Sequence, residues 1–112
     1  MQERQIERIL REIGVPVKFR GYWYIIDALR EMDNWNLRYL KVTELYHIIG
    51  KRYGVKWTAV ERDIRRSFQT ARKNGNKKAI NHYIGELYPQ NKESLLSLYM
   101  AIKNEAEKTD AA

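Results

Sequence analysis

The segment 54-GVKWTAVERDIRRS-67 carries the side chains of this 112-residue sequence that are best suited to chemistry. Arg62 and Arg65 each offer a planar fork of N–H donors that matches the two acceptors on a guanine edge. Glu61 can accept from a cytosine amino group, Thr58 can touch a thymine methyl group or a phosphate, and Lys56 stands at the same end. The polar set of Thr58, Arg62, Arg65, Gln69 and Lys73 lies opposite Val60, Ile64, Phe68 and Ala71 at helical spacing, so one helix would present it on a single outward face. Trp57 is read as packing at the helix start. The spacing Thr58-x-x-Glu61 is also that of a capping box, which would use both side chains structurally, whereas a cap at Lys56 would start the helix two residues earlier. The sequence leaves both starts open.

A helix that presents such a face has to be held away from the core by a partner. The residues before it supply one with helix-turn-helix spacing, expected over about 43–74. Gly50 is small where two helices approach closely, Gly54 suits a turn with positive φ, and Tyr53, Val55 and Val60 are apolar where the pair packs. In such a unit the second helix enters the major groove and its first outward residues meet base edges.

Charge coincides with this unit. The chain has a net charge of +7, and residues 51–78 hold ten basic and two acidic side chains, so the block alone carries +8. Mixed solvated faces show both signs, and a one-sign block on a balanced domain indicates a polyanionic partner. Lys51, Arg52, Lys56, Arg66, Arg72, Lys73, Lys77 and Lys78 are the candidate phosphate contacts, which orient a protein on DNA without reading sequence.

The rest of the chain reads as helices. Ile6, Ile9, Leu10 and Ile13 form a first stripe stopped by Gly14-Val15-Pro16, giving a helix over about Gln2 to Ile13 after which VPVKFRG is extended. Tyr22, Ile25, Ile26, Leu29 and Met32 form a second, and Leu45, Tyr46, Ile48 and Ile49 a third that ends at Tyr53-Gly54. The helix of Val60 stops at Asn74-Gly75-Asn76. A short one with Ala79, Ile80, Tyr83 and Ile84 closes at Gly85, and Pro89-Gln90-Asn91 opens a last one, with Asn91 as N-cap and Leu95, Leu98, Tyr99 and Ile102 inside. The expectation is an all-α bundle of about six helices, one domain over 1–112 with a C-terminal tail over about 106–112.

Other classes are poorly supported. Without cysteine there are no disulfides or thiolate metal sites. No apolar run approaches the length of a membrane span, and the charged start MQERQIERIL is unlike a signal peptide, so a cytosolic protein at the nucleoid is expected. His47 and His82 lack a ligand pattern, the six glycines are scattered, and Ser67, Ser94 and Ser97 have no paired base. The tyrosines fall mostly on apolar stripes, where packing and hydroxyl tethers explain them. Neither an enzyme nor a cofactor is expected.

The residues Glu12-Ile13-Gly14-Val15-Pro16, Gly21-Tyr22 with Tyr24, Val60-Glu61-Arg62 with Ile64-Arg65, and Gly75-Asn76 resemble those of a known family. It is the C-terminal effector-domain family of the sporulation response regulator, stage 0 sporulation protein A, and the resemblance runs from about Ile6 to about Glu105. It implies a six-helix DNA-binding domain that occupies tandem sites as a dimer and contacts the sigma subunit of RNA polymerase. Glu61, Arg62 and Arg65 match the family's recognition-helix residues, and Thr58 replaces a serine. Ala59 stands where the family has an arginine that reaches a base, and His47 replaces a proline. The segment near Arg72 to Ile84 corresponds to the one that meets sigma, with Lys77 and Lys78 making it more basic here. Nothing in these residues corresponds to the family's receiver domain, so either an excised domain or a stand-alone chain is expected, and a helix directly after Met1 favours the second. The competing expectation is a helical adaptor or antagonist whose basic face binds an acidic protein.

Overall fold

The apolar stripes become six helices in the computed structural model, which describes residues 1–87 and 90–111. They are α1 (Glu3–Ile13), α2 (Arg20–Met32), α3 (Val42–Tyr53), α4 (Trp57–Asn74), α5 (Lys77–Tyr83) and α6 (Asn91–Ala111), with a short 3-10 helix, Leu37–Tyr39, before α3. Among the described residues there is no strand. The expected all-α bundle is therefore the observed architecture. No helix is long and apolar enough to cross a membrane, among the described residues.

Most stripe residues are buried as their spacing requires, with Ile48 and Ala79 only half-buried. Ile6, Ile9, Leu10 and Ile13 of α1, Tyr22, Ile25, Ile26, Leu29 and Met32 of α2, and Val60, Ile64, Phe68 and Ala71 of α4 join one core with Leu95, Leu98 and Ile102 of α6. A side chain of this size stabilises the fold by about 1.5–3 kcal/mol when fully buried, so the core is the main force holding α4 in place.

Two glycine contacts set how closely the helices approach. Gly14 ends α1 in the left-handed region at φ 95°, with the N–H of Val15 donating to the Leu10 carbonyl at 2.9 Å. A Cβ on Gly14 would lie 2.7 Å from Cα of Gly75, so the ends of α1 and α4 touch backbone to backbone. Farther along, a Cβ on Gly21 would overlap the Ser67 hydroxyl and the Asp63 carbonyl, which fixes α2 across the middle of α4.

Several details differ from the sequence reading. The segment before α2 is a turn, closed by the Phe19 N–H donating to the Pro16 carbonyl at 3.1 Å, and not an extended strand. Asn91 does not cap α6 but is its first helical residue, buried, with its amide nitrogen donating to the Glu61 carbonyl of α4 at 3.0 Å. Its side chain serves a tertiary contact because α6 begins against α4. Pro89 lies outside the described residues. The residues expected as a tail continue α6 as far as Ala111.

Tyrosine hydroxyls tether helices to one another, as expected. Tyr22 donates to Glu7, Tyr53 to Asp27, Tyr83 to Glu105 and Tyr99 to Asp33. Burial, and then the carboxylate acceptor, pushes each of these four phenols up to about 12. Asp33 takes hydrogen bonds from Tyr99 at 2.6 Å, Lys103 at 3.0 Å and the Met1 ammonium at 3.0 Å.

Burial raises the Asp33 carboxyl, but these donors outweigh it and hold the group down at about 2, from an ordinary 3.8. A depressed folded-state value means that the stabilisation is complete above the ordinary value and is lost as pH falls through about 2. After discounting for solvent, it is on the order of 1 kcal/mol. Urea unfolding at a series of pH values should show wild type losing this increment between about pH 4 and pH 2. Asp33→Asn should be weaker at neutral pH and flatter across that window; equal slopes would remove Asp33 from the acid response.

Candidate nucleic-acid interface

The candidate site is built on α3, its turn and α4. Gly54 ends α3 in the left-handed region at φ 68°, and the N–H of Val55 donates to the Gly50 carbonyl at 2.9 Å. A Cβ on Gly50 would sit 2.6 Å from the Val55 carbonyl oxygen, so the turn closes only over a glycine. Two helices joined by the three residues Gly54-Val55-Lys56 agree with the expected helix-turn-helix arrangement. Val60 is fully buried and Val55 packs against the core. Tyr53 is instead half-exposed, with its ring edge on Tyr24 at 5.0 Å and its hydroxyl on Asp27.

The start of α4 is decided in favour of Lys56, which is the N-cap in extended conformation without a side-chain cap bond. Thr58 is then inside the first turn, exposed, and the capping box does not form. Aromatic packing explains the earlier start. Trp57 stacks on Tyr46 at 6.4 Å and an interplanar angle of 5°, with His47 tilted against it at 5.5 Å, which anchors the helix to α3 one residue before Thr58.

Beyond that turn, Arg62, Arg65, Arg66, Gln69 and Lys73 are all exposed. Glu61, freed from capping, accepts from Nε of Arg65 at 3.0 Å, an i,i+4 pair on the outer face. Arg62 lies 3.5 Å from Asp63. Ala59 is half-buried on one flank of this face.

The basic block does not form one patch. At about 1.5 Å per residue, Thr58 and Lys73 are about 22 Å apart along α4. Lys51 and Lys56 cluster at its start, whereas Lys73 with Lys77 and Lys78 of α5 gathers at its far end. Besides Arg62 and Arg65, two more cations of the block are engaged by groups of the protein. Arg52 pairs with Glu31 at 2.7 Å.

Arg72 departs from its expected role altogether. Its Nε donates to the Gly85 carbonyl at 3.0 Å, and Nη2 donates to the Ser94 hydroxyl at 2.7 Å and to the Ile84 carbonyl at 3.4 Å. The guanidinium lies over Phe68 at 5.9 Å, and burial lowers its pKa. It projects inward because the end of α5 and the side of α6 supply acceptors that solvent would otherwise provide. Arg72 is therefore a tether from α4 to the α5–α6 connection.

Two residues outside the block stand beside α4. One shallow groove is lined by Phe19, Arg20 and Gly21 of the α2 start and by Arg62, Asp63 and Arg66. A second, on the other side, brings Gln90 and Lys92 of the α6 start to Glu61, Arg65 and Gln69. Neither Arg20 nor Lys92 is marked by local charge in the sequence. The one hint is the glycine that follows Arg20, whose close approach carries that arginine to α4. His47 and His82 are on different helices, and His82 lies 3.9 Å from Glu105.

Adjacent residues on α4 thus have opposite duties, which gives a stability test. Arg72→Ala removes the hydrogen bonds from its Nε and Nη2 to the Gly85 and Ile84 carbonyls and to the Ser94 hydroxyl, and should cost about 1–3 kcal/mol in urea unfolding. Lys73→Ala, one position on, should stay within about 0.5 kcal/mol of wild type. Equal, small effects would return Arg72 to the solvent-facing cations.

One comparison with known proteins bears on this surface. The family described as "Sporulation initiation factor Spo0A C terminal" matches residues 6–105, which takes in all of α2 to α5 and most of α1 and α6. That family is a DNA-binding effector domain of a sporulation regulator and is not a catalytic one. With the all-α fold, the glycine-closed turn and the outward cationic helix in place, the chain belongs to the Spo0A C-terminal domain family.

Proposed function

We propose that the chain is a sequence-specific, double-stranded DNA-binding regulator of transcription that inserts α4 into the major groove. The observation that carries this reading is the exposed face of α4, where Thr58, Arg62, Arg65 and Gln69 project from a helix whose opposite side is wholly buried. Base edges would be met by Lys56, Thr58, Glu61, Arg62 and Arg65, with Ala59 at the place of the family's base-reading arginine. Phosphates would be met by Lys51, Arg66, Lys73, Lys77 and Lys78, and by Arg52 on leaving Glu31. Membership of the family supports two further partners: a second copy on tandem sites, and the sigma subunit at the α5 region. Work at the nucleoid follows from this reading.

Selection of bound sequences from a random duplex pool tests the proposal directly. Enrichment of a defined motif is expected, and a flat pool with weak, salt-sensitive binding would point to an acidic protein partner instead. On the selected site, Arg62→Ala should cost about 1–3 kcal/mol and flatten preference at one base pair. Lys73→Ala should weaken all sequences about equally, since phosphates carry no sequence. If both variants lose the same affinity on specific and scrambled duplexes, Arg62 does not read a base.

Ala59 supplies a gain-of-function test. A methyl group offers no donor to guanine, so base-pair changes at that position of the site should be tolerated. Ala59→Arg should restore discrimination worth about 1–3 kcal/mol, the value of a bidentate arginine contact. Equal tightening on duplexes with and without the exchanged base pair would mean that the new charge acts through phosphates and that α4 lies in a different register.

A further inference from the structure

We infer that the two shallow grooves flanking α4 seat the two phosphodiester strands bordering a major groove, with Arg20 on one strand and Lys92 on the other. The inference rests on the DNA-binding reading and adds two contacts that lie outside the basic block.

The arrangement around α4 carries it. Taking Arg62 as zero and about 100° per residue, Val60, Ile64 and Ala71 lie within about 20° of the opposite side, in the core. Asp63 and Arg66, which line the groove toward α2, lie at about +100° and +40°. Glu61, Arg65 and Gln69, which line the groove toward α6, lie at about −100°, −60° and −20°. The two grooves are therefore on opposite flanks of one exposed ridge.

Both outer walls are held by contacts to α4 itself. Gly21 brings the start of α2, and with it Arg20, against the backbone at Asp63. On the other side Asn91 donates to the Glu61 carbonyl, and Arg72 holds Gly85 and Ser94, so the first turn of α6 with Lys92 is fixed at two points. Arg20 and Lys92 are exposed, and among the described residues neither is in an ion pair, whereas Arg52 and Arg65 must first give up a carboxylate.

The duplex supplies the complementary shape. A helix with its side chains is about 10–12 Å across and the major groove about 12 Å wide, so a duplex that admits α4 brings one backbone to each flank. A guanidinium on one wall and an ammonium on the other then face the strand on their own side. Each neutralises phosphate charge without reading a base.

The test uses the full chain and the duplex recovered by selection. In salt titrations followed by fluorescence anisotropy, Arg20→Gln and Lys92→Gln should each reduce the magnitude of the log–log slope by about 0.9, and the double variant by about 1.8. Single neutral methylphosphonate linkages, placed in turn along each strand, then assign the strands. Wild type should show interference on both strands, Arg20→Gln should lose a position on one, and Lys92→Gln should lose a position on the other. Unchanged slopes in both variants, with Arg62→Ala still impaired, would overturn the groove assignment and leave the DNA-binding reading standing. Loss of interference on the same strand in both variants would also overturn it. Failure of the unaltered protein to bind any duplex would overturn both.

Discussion

The position of α4 depends on backbone-to-backbone contact where α2 crosses it at Gly21. Hydrogen in place of a side chain lets the α2 backbone reach the Asp63 carbonyl and the Ser67 hydroxyl, and Ser67 is fully buried at that crossing, its hydroxyl donating to the Asp63 carbonyl at 2.9 Å. This contact sets the rotation of α4 about its axis, because close packing leaves no room for the helix to roll. Rotation in turn decides which residues reach solvent. Gly14 against Gly75 does the same at the far end of α4, and Gly50 with Gly54 sets where α4 begins. Five glycines thus orient one helix by permitting approach, while the aliphatic stripes supply the energy that keeps it there.

Electrostatics is organised by that orientation and does not follow sequence blocks. Arg72 and Lys73 are neighbours in the chain, yet one guanidinium is spent on carbonyls of the α5–α6 connection and the other cation stands in solvent. Desolvation of Arg72 is offset at Nε and Nη2, which meet a hydroxyl and two carbonyl oxygens, whereas Nη1 is buried without a hydrogen-bond partner among the described residues. The exposed Glu61 to Arg65 pair is a weaker association, of the order expected for surface pairs, and exchanges readily for other partners. The basic block therefore contains cations committed to the fold, cations held loosely by carboxylates, and cations without a partner among the described residues. Only the last two kinds are available to a polyanion.

Polar groups inside the bundle are handled by tethering. Tyr22, Tyr53 and Tyr83 each place a hydroxyl on a carboxylate of another helix, and Tyr99 places its own on Asp33 just past the end of α2, so the rings add apolar area while the oxygens specify which helices meet. Asn91 works similarly at smaller scale, joining the first turn of α6 to the backbone of α4. These bonds fix relative helix positions around α4 and do not by themselves make a reactive site.

The sequence by itself determined the helices, the core stripes, the glycine-closed turn and the family, because each is encoded within a few residues of chain. A 3.6-residue period, a left-handed glycine and a VER-x-IR run are local signals. It also separated the outer face of α4 from the inner one, since that division follows from the angle between successive residues. Tertiary structure alone decided between Lys56 and Thr58 as the start of α4, turned Arg72 inward, moved Asn91 from a cap to a tether, and brought Arg20 and Lys92 to the flanks of α4. Each of these depends on an acceptor, a ring or a backbone many residues away: Tyr46 for Trp57, Gly85 and Ser94 for Arg72, Glu61 for Asn91. Charge composition counts cations, but whether a cation faces water or a buried carbonyl is settled by which helix packs beside it.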